Sequence, residues 1–357
     1  MSRPEGVRTK ENETPERHRP RFAALLRPLV AALLLPLKWL FRVMNRRQRA
    51  RLAAIPGIQH IYRSILPWLL PKPAQDGTVC SMVSGLKMYL DSEDNAGGLS
   101  AYLSGEYEPA TTRVVVALLR PGDVAVDVGA HWGYFTLLAA TLCEGSGRVF
   151  AFEPHPRNYE LLRKNISANG LTNVVALQKA VANHTGTAKL FQARSTSGHS
   201  LCGIPFDWAS AEDSANGGMT VETVALDDFF AQTSAEPRLI KMDIEGAEPL
   251  ALAGMQRLIE RNPSLVLISE FNPLYLGAKA AAAFLDQLFA CGFDVAVIDD
   301  QRRQLAVGPK AAILERGSEK GATNNLLATR DRSLFERLLQ QHHRFGKHLA
   351  HLEMARL

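Results

Sequence analysis

The sequence predicts an α/β protein with a doubly wound, mostly parallel, Rossmann-like sheet and helices on both faces. Two observations support this fold class. Short, continuously apolar segments recur from about residue 110 onwards, and segments with helical periodicity separate them. Continuously apolar strands are typical of a sheet that is covered on both faces, and regular alternation of strand and helix is typical of parallel pairing.

The predicted elements follow in order along the chain. A first helix covers residues 111–120 and is closed by Pro121 and Gly122, which favour a turn. The predicted strands are 123–128, 148–153, 173–181, 238–244, 264–271 and 293–299. The predicted helices between them are 132–143, 156–170, 246–260 and 281–292. Gly170 supplies a typical C-terminal cap for the helix that it ends.

The composition is that of an ordinary globular protein. The chain has 357 residues, of which 46% are apolar and 22% are charged, enough to form a normal core. We expect residues 76–357 to form one domain, with its core at about 105–330, after an N-terminal arm at 1–75. The four cysteines are widely separated and form no CxxC pair, which disfavours a zinc site or a disulfide framework and fits a reducing cytoplasm.

The positive charge is concentrated at the start of the chain. Residues 1–51 contain 11 Arg and 2 Lys against 4 Glu, a net charge of +9, so the remaining residues carry −4 of the formal +5. A basic arm of this kind suits an anionic membrane surface or nucleic acid. Because the rest of the chain has no RNA-binding motif, nucleic acid is disfavoured as the substrate.

Residues 22–45 of the arm are strongly apolar, but Arg27 and Lys38 interrupt them. A membrane span needs about 20 apolar residues, and no cleavage site of small residues follows, which disfavours a signal peptide. Two interpretations stay open: a helix that packs as a lid or dimer element, and a helix that lies on a membrane surface. The expected location is the cytoplasm, with peripheral contact at the inner membrane face under the second interpretation.

A glycine-containing turn joins the strand 123–128 to the helix after it, in the stretch VAVDVGAHWGYFT. Asp127 lies at or beside the carboxyl end of the strand. Ligands of such sheets bind at the carboxyl ends of the strands, and glycine leaves room for a ligand near the backbone. The predicted cofactor-binding residues of this turn are Asp127, Gly129, Ala130, His131 and Gly133.

The acid before this turn distinguishes two kinds of cofactor. A nicotinamide dinucleotide site would show Gly-x-Gly-x-x-Gly for its pyrophosphate, whereas this chain has Asp-x-Gly-x-x-x-Gly. A carboxylate repels pyrophosphate but suits the sulfonium and ammonium groups of S-adenosylmethionine. Glu153 ends the next strand, 26 residues after Asp127, and can accept both ribose hydroxyls. The simpler alternatives are a helix-capping role for Asp127 and a solvated strand end for Glu153.

Three segments together resemble the FkbM-type methyltransferase family: VAVDVGAHWGYFTLLAA, VFAFEPHPRNYELLRKNISANGLTNV and LIKMDIEGAEPLALAGM. GEYEP, ETVALDDFF and NNLLATR extend the resemblance, which covers roughly residues 85–330. It implies a class I methyltransferase fold and S-adenosylmethionine as cofactor. Glu270 stands where the family usually keeps a Glu, and no role is assigned to Asn272, which stands where His is common. His131 falls where the family often has Asn.

Asp243 and Glu245 are the predicted catalytic residues. Two positions apart on a strand, their side chains would project to one face. Three interpretations stay open. One carboxylate is the general base for the acceptor, the pair holds cofactor or substrate by hydrogen bonds, or the pair binds a divalent metal. No third metal ligand is obvious, so no metal site is assigned, and Lys241 and Glu248 are candidate structural ion partners.

The resemblance implies an S-adenosylmethionine-dependent methyltransferase that acts on a hydroxyl of a small molecule or a sugar. Two other classes of protein compete with it: a nicotinamide-dependent oxidoreductase on a similar sheet, and a non-catalytic binding protein that retains the fold. The missing Gly-x-Gly-x-x-Gly speaks against the first, and the intact glycine turn and Glu153 speak against the second.

Overall fold

The computed structural model describes residues 78–83, 85–91, 107–191, 198–202, 218–318 and 324–344. The predicted arm at residues 1–75 lies outside these ranges. Among the helices of the described residues, none combines the length and the apolar character needed to cross a bilayer.

The strands of the described residues are short. In chain order they are β1 (Thr78–Val83), β2 (Leu86–Asp91), β3 (Val124–Val128), β4 (Arg148–Phe152), β5 (Val174–Leu177), β6 (Ala180–Val181), β7 (Gly186–Leu190), β8 (Met219–Val224), β9 (Pro237–Met242), β10 (Val266–Glu270), β11 (Asp294–Asp299), β12 (Gln304–Ala306) and β13 (Asn324–Thr329).

The helices lie mainly between successive strands. They are α1 (Pro109–Leu118), α2 (Tyr134–Cys143), α3 (Pro156–Ala168), α4 (Leu226–Ala231), α5 (Glu248–Ala253), α6 (Gln256–Arg261), α7 (Pro273–Leu276), α8 (Ala278–Ala290), α9 (Lys310–Gly317) and α10 (Arg332–Arg344).

The central sheet has the strand order β12-β11-β13-β10-β9-β3-β4-β5. The pairs from β10 through β9, β3 and β4 to β5 are parallel, whereas β13 is antiparallel to both of its neighbours, β10 and β11. The edge strand β12 is also antiparallel to its neighbour β11. A mostly parallel sheet with an antiparallel strand inserted between its last two parallel strands, here β13 between β10 and β11, is the class I methyltransferase arrangement. The predicted fold class is therefore confirmed.

The chain reverses direction across the sheet next to β3. From β3 it moves outwards to β4 and β5, and it later returns to β9, on the other side of β3, before it continues to β10. The loops after β3 and β9 therefore lead to opposite sides, which leaves a crevice at the carboxyl ends of these two strands. Ligands of open parallel sheets bind in such crevices.

Both faces of the sheet are buried, which explains why its strands are apolar throughout. On one face, Leu137 and Leu138 of α2 pack in a core with α1 and α10. On the other face, Phe230, Leu258 and Phe284 come from α4, α6 and α8 and form a second core. The two cores cover β3 and β9, which lie side by side in the interior of the sheet.

Three predicted elements differ from the structure. The predicted strand 173–181 divides after Leu177, because Ala180 and Val181 pair instead with β8 in a separate sheet of order β6-β8-β7. The predicted helix 246–260 is broken at Gly254, where an added Cβ would lie 2.1 Å from the carbonyl oxygen of Ala182. The predicted strand 238–244 ends at Met242. The hairpin of β1 and β2 was not predicted at all.

Candidate active site

The glycine turn after β3 packs against the protein's own backbone. Gly129 and Gly133 both have positive φ, at 77° and 92°, a conformation that glycine adopts without strain. A Cβ on Gly129 would lie 2.0 Å from the carbonyl oxygen of Asp243. The glycine at 129 is therefore needed for contact with the loop after β9. Sequence patterns had attributed it to room for a ligand.

The turn also binds the end of β4. The backbone N–H groups of Gly129 and Ala130 both donate to the carbonyl oxygen of Phe152, each at 2.9 Å. His131 follows with φ at 51°, and its backbone N–H donates to Glu153 Oε2 at 2.9 Å. The predicted cofactor turn and Glu153 therefore form one hydrogen-bonded unit.

Glu153 directly follows β4 and is buried, with 5% of its surface exposed. Its second oxygen, Oε1, accepts the backbone N–H of His155 at 2.9 Å. Burial raises the pKa of the Glu153 carboxyl to about 7, although the two backbone N–H groups oppose this change. Each carboxylate oxygen can accept more than one hydrogen bond, so both can still take a ligand hydroxyl.

Asp127 lies within β3 and is buried, with 4% of the residue exposed. Thr136 in the first turn of α2 donates its hydroxyl to Asp127 Oδ2 at 2.5 Å. Burial raises the pKa of Asp127, and the charge of Lys241 opposes this effect. The contact with α2 resembles the simpler helix-capping alternative, yet Asp127 also lines a cavity.

Two cavities flank the glycine turn. The first, which we call the Glu153 cavity, is lined by residues that include Glu153, Asn158, His199 and Ala247. The second, which we call the Lys241 cavity, is lined by Lys241, Asp127 and the apolar or aromatic side chains of Met88, Leu90, Tyr107, Trp132, Tyr134 and Phe135. Gly129, His131 and Asp243 line both cavities. The predicted cofactor turn therefore separates two parts of one site.

Asp243 and Glu245 lie in the loop that follows β9, so the strand geometry expected for them was wrong. Glu245 has a left-handed backbone with φ at 53°. Lys241 Nζ binds Asp243 Oδ2 at 2.9 Å, and its side chain is 4% exposed. The Lys241 ammonium also lies 4.6 Å from the centre of the Phe135 ring. Lys241 is therefore an ion partner of Asp243, as one of the alternatives predicted.

Glu248 acts on the backbone of this loop. Its carboxylate oxygens accept the N–H groups of Ile244 and Gly246, at 3.0 and 3.1 Å. It is 1% exposed, and burial raises its pKa to about 7. Glu248 therefore fixes the turn that carries Glu245.

Glu270 joins Asp243 and Glu245 at the end of β10. One oxygen of each of these three carboxylates lies within 4.8 Å of the others. Burial and the charge of Asp243 raise the pKa of Glu245 well above its ordinary value, and burial and Glu245 do the same for Glu270. The sequence assigned no role to Glu270. The available signal was an acid at the end of an apolar strand, the same pattern that identified Glu153.

Tyr107, Glu108 and Asn325 also belong to this region and were missed. Tyr107 lines the Lys241 cavity. Glu108 has a left-handed backbone with φ at 40°, and its Oε2 accepts Asn325 Nδ2 at 2.9 Å. Burial raises the pKa of Glu108 to about 8, while Lys241 opposes the change. For Tyr107 and Glu108, the segment GEYEP was the only part of the sequence that indicated a role.

The charges around the Lys241 cavity are strongly unbalanced. Lys241 interacts electrostatically with Asp243, Glu108 and Asp127, which together raise its pKa. Glu245, which lines the Glu153 cavity, and Glu270 add two further carboxylates close to Asp243. Because unpaired buried acids are costly, this arrangement favours a ligand that carries positive charge. The sulfonium and ammonium of S-adenosylmethionine meet that requirement.

Comparison with known proteins is consistent with this geometry. Residues 127–295 match the methyltransferase FkbM domain. Hexuronic acid methyltransferase AglP of Haloferax volcanii is 26% identical over 159 residues, which span 44% of this chain and 59% of AglP. The 31-O-demethyl-FK506 methyltransferase FkbM of Streptomyces tacrolimicus is 32% identical over 164 residues, which span 39% of this chain and 61% of that relative.

A third relative, methyltransferase sdnD of Sordaria araneosa, is 25% identical over 205 residues, which span 50% of this chain and 77% of sdnD. The chain thus spans less than two thirds of the first two relatives. The matched segment, residues 127–295, contains the glycine turn, Glu153, Asp243, Glu245 and Glu270. By this match, residues 127–295 are similar to the FkbM family of methyltransferases.

Proposed function

We propose that the protein is an S-adenosylmethionine-dependent O-methyltransferase that acts on a hydroxyl group of a small molecule or a sugar. One observation carries the proposal. At the switch point of the sheet, Glu153 lines one cavity and an excess of carboxylates lies around the adjoining one. A diol-binding carboxylate beside a negatively charged cavity suits a cofactor with a ribose at one end and two positive charges at the other.

The residues divide into two groups under this proposal. Glu153 accepts hydrogen bonds from the ribose hydroxyls. Gly129, Ala130, His131 and Gly133 form the turn against which the cofactor lies. Asp127 adds negative charge beneath that turn. Because the turn is bonded to Phe152 and Glu153 before any ligand arrives, it needs little rearrangement on binding.

The bound cofactor supplies a methyl group on a positively charged sulfur. Asp243 and Glu245 act on the acceptor, since Asp243 lines both cavities and Glu245 lines the Glu153 cavity. As the new C–O bond forms and the C–S bond breaks, one of these carboxylates takes the hydroxyl proton. Lys241 holds Asp243 Oδ2 and so fixes the direction of that carboxylate. Alignment and proton removal are the protein's contributions.

The part of the Lys241 cavity that lies beyond the positively charged end of the cofactor is the proposed acceptor site. Its aromatic and apolar wall can cover the carbon face of a sugar or a macrocyclic alcohol, and its carboxylates can accept hydroxyl protons. The names of two relatives, a hexuronic acid methyltransferase and a 31-O-demethyl-FK506 methyltransferase, suggest the same two classes of acceptor.

The N-terminal arm has a separate proposed role. Its net charge of +9 and the apolar residues 22–45 support peripheral contact with the inner face of an anionic membrane. Packing of this segment as a lid or dimer element is the competing proposal, and cosedimentation with anionic vesicles distinguishes the two.

Calorimetry with S-adenosylmethionine and with reduced nicotinamide dinucleotide tests the cofactor assignment. We expect saturable binding of the first compound only. Cell extract is then incubated with methyl-labelled S-adenosylmethionine, and labelled small molecules are identified by mass spectrometry. Binding of the nicotinamide cofactor without binding of S-adenosylmethionine would overturn the proposal.

A further inference from the structure

We propose that Asp243, Glu245 and Glu270, together with the side-chain oxygen of Asn325, bind one hard divalent cation of the Mg²⁺ or Mn²⁺ type. The inference rests on the proposed function for its chemical meaning, because the cation would lie where the methyl acceptor is placed. Its binding can nevertheless be measured without any acceptor.

The first support is the convergence of three carboxylates. Asp243 and Glu245 come from the loop after β9, and Glu270 comes from the end of the neighbouring strand β10. Oxygens from all three lie within 4.8 Å of one another. Such a separation suits ligands on one ion, since two oxygens on opposite sides of an octahedral Mg²⁺ are about 4 Å apart at bond lengths of about 2.0–2.1 Å.

The second support is independent of this cluster and comes from β13. Asn325 is the direct antiparallel partner of Glu270, so both side chains lie on the same face of the sheet. Asn325 is 1% exposed, and its Nδ2 donates to Glu108 Oε2 and to Thr111 Oγ1. These two bonds fix the amide, and no described group donates to its Oδ1. An amide oxygen is thereby buried and unpartnered beside Glu270.

Glu270 also has a buried side-chain oxygen, Oε2, without a hydrogen-bond partner among the described residues. Two buried acceptor oxygens, on the paired residues Glu270 and Asn325, thus lack a donor among the described residues. A buried oxygen without a partner is costly, and a cation coordinated by both oxygens would remove that cost.

The protein's own cation does not fill this role. Lys241 Nζ contacts Asp243 Oδ2 at 2.9 Å, and Glu245 and Glu270 each lack a salt bridge among the described residues. Glu248 uses its oxygens on the backbone of Ile244 and Gly246. One oxygen of Asp243 therefore stays available for an ion, as do Glu245 and Glu270.

The donor set defines the class of ion. Carboxylate and amide oxygens without cysteine or histidine suit Mg²⁺, Mn²⁺ or Ca²⁺ and do not favour Zn²⁺. A coordination position that the protein leaves open would accept the acceptor's hydroxyl oxygen and lower its pKa. The hydroxyl proton would then pass to a carboxylate oxygen that does not ligate the ion, as the methyl group moves from sulfur to that hydroxyl oxygen.

The experiment is Mn²⁺ binding to the full chain, followed by electron paramagnetic resonance and by calorimetry, with Mg²⁺ and Ca²⁺ as competitors. We expect one saturable site in the wild-type protein. Glu270→Gln and Glu245→Gly should each weaken Mn²⁺ binding at least about tenfold. Glycine relieves the left-handed backbone at position 245, so the second variant should remain folded.

Two control variants keep their carboxylate cluster. Glu222→Gln removes an exposed acid on β8, and Glu153→Gln removes an acid that lies outside the proposed ligand set. Both should bind Mn²⁺ as the wild type does, while Glu153→Gln should lose affinity for S-adenosylmethionine. Thermal unfolding of every variant establishes that it is folded.

The outcomes separate this inference from the proposed function. Absence of saturable Mn²⁺ binding up to millimolar concentration, or binding unchanged in both Glu270→Gln and Glu245→Gly, overturns the cation site. If S-adenosylmethionine still binds in that case, the proposed function stands without it. Mn²⁺ binding that depends on Glu245 and Glu270, in a protein that does not bind S-adenosylmethionine, supports the site and contradicts the proposed function.

Discussion

Glu153 and Glu270 occupy equivalent places in two halves of the sheet. Glu153 directly follows the parallel strand β4, and Glu270 is the last residue of the parallel strand β10, so both lie at the carboxyl-terminal edge of the sheet. Both oxygens of Glu153 accept backbone N–H groups, from His131 and His155. Glu270 Oε2 has no partner among the described residues, and two other acids approach it. One carboxylate is held in place by backbone donors, whereas the other belongs to the cluster of three acids that we propose binds a cation.

The loops explain this difference. Beside Glu153, the turn after β3 directs the N–H of His131 towards the carboxylate. In the loop after β9, the N–H groups of Ile244 and Gly246 are instead bound by Glu248. The backbone donors nearest the acidic cluster are therefore already used. From this comparison we infer that Glu153 is positioned to bind a neutral polar group. The cluster of Asp243, Glu245 and Glu270 is instead arranged to receive positive charge.

The largest expected effect is a loss of turnover in variants of Asp243 and Glu245. Asp243→Asn and Glu245→Gln preserve shape and remove charge, and for the residue that takes the acceptor's proton we expect turnover to fall about 10²–10⁴-fold. Affinity for S-adenosylmethionine should change by less than about tenfold. Single-turnover rates with an acceptor found by profiling give the first quantity, and calorimetry gives the second. Complete loss of cofactor binding in both variants would make the pair a cofactor clamp.

The next largest effect is expected at Gly129, whose backbone packs against the carbonyl group of Asp243 in the loop after β9. Gly129→Val places a Cβ against the Asp243 carbonyl and forces a β-branched residue to φ of 77°. We expect the free energy of unfolding to fall by roughly 2–5 kcal/mol, from strain and overpacking together. Urea denaturation measures this change. Gly170→Ala is the control, because its φ is 64° but an added Cβ meets no atom within 4 Å. Equal losses in both variants would contradict the proposed contact.

On the Glu153 side the expected effect is smaller and confined to cofactor binding. Glu153→Ala should weaken S-adenosylmethionine binding by roughly 1–3 kcal/mol, since the ribose loses a charged acceptor. The exposed acid in Glu222→Ala serves as the control. Unchanged affinity in a folded Glu153→Ala protein would remove this residue from the site.

The stability of the protein should depend on pH through buried carboxyl groups around both cavities. The carboxyl pKa values of Glu108, Glu153 and Glu248 are raised to about 8, 7 and 7 in the folded protein. The folded state therefore retains protons that the unfolded chain releases. The contribution of these groups to stability is present below their unfolded pKa of about 4.5, and it is lost as the pH rises from about 5 to about 8.

Urea denaturation across this pH range tests the sign. Because a cationic ligand favours ionised carboxylates, stabilisation by S-adenosylmethionine should increase over the same range. Glu108→Gln should reduce the slope near its upper end. A slope unchanged in Glu108→Gln and Glu153→Gln would contradict the assignment of these groups.

The smallest effect is expected from the arm. A protein of residues 76–357 should bind S-adenosylmethionine within about threefold of the full chain, because every residue proposed for the two cavities lies after position 76. Calorimetry of both proteins makes the comparison. A truncated protein that is folded and fails to bind the cofactor would place the arm within the site.

Sequence patterns predicted the part of the site that is local in the chain. The glycine turn and Glu153 lie close together in sequence, and the alternation of apolar strands and helices was sufficient to place them at one edge. Glu270 and Asn325 could not be placed in this way. Their proximity depends on β13 pairing beside β10, which no local periodicity encodes. The loop geometry of Asp243 and Glu245 could not be predicted either. Over two residues, the sequence does not distinguish the end of a strand from the start of a turn.

The position of β13 has a further consequence for how the chain is made. This strand comes from residues 324–329, yet it lies inside the sheet between β10 and β11. Until the ribosome has synthesised residues 324–329, β10 and β11 each present an open edge of unpaired peptide groups. Such edges template association between chains. A nascent or prematurely terminated chain that lacks residues 324–329 should therefore aggregate, and its dependence on chaperones should end when this strand is released.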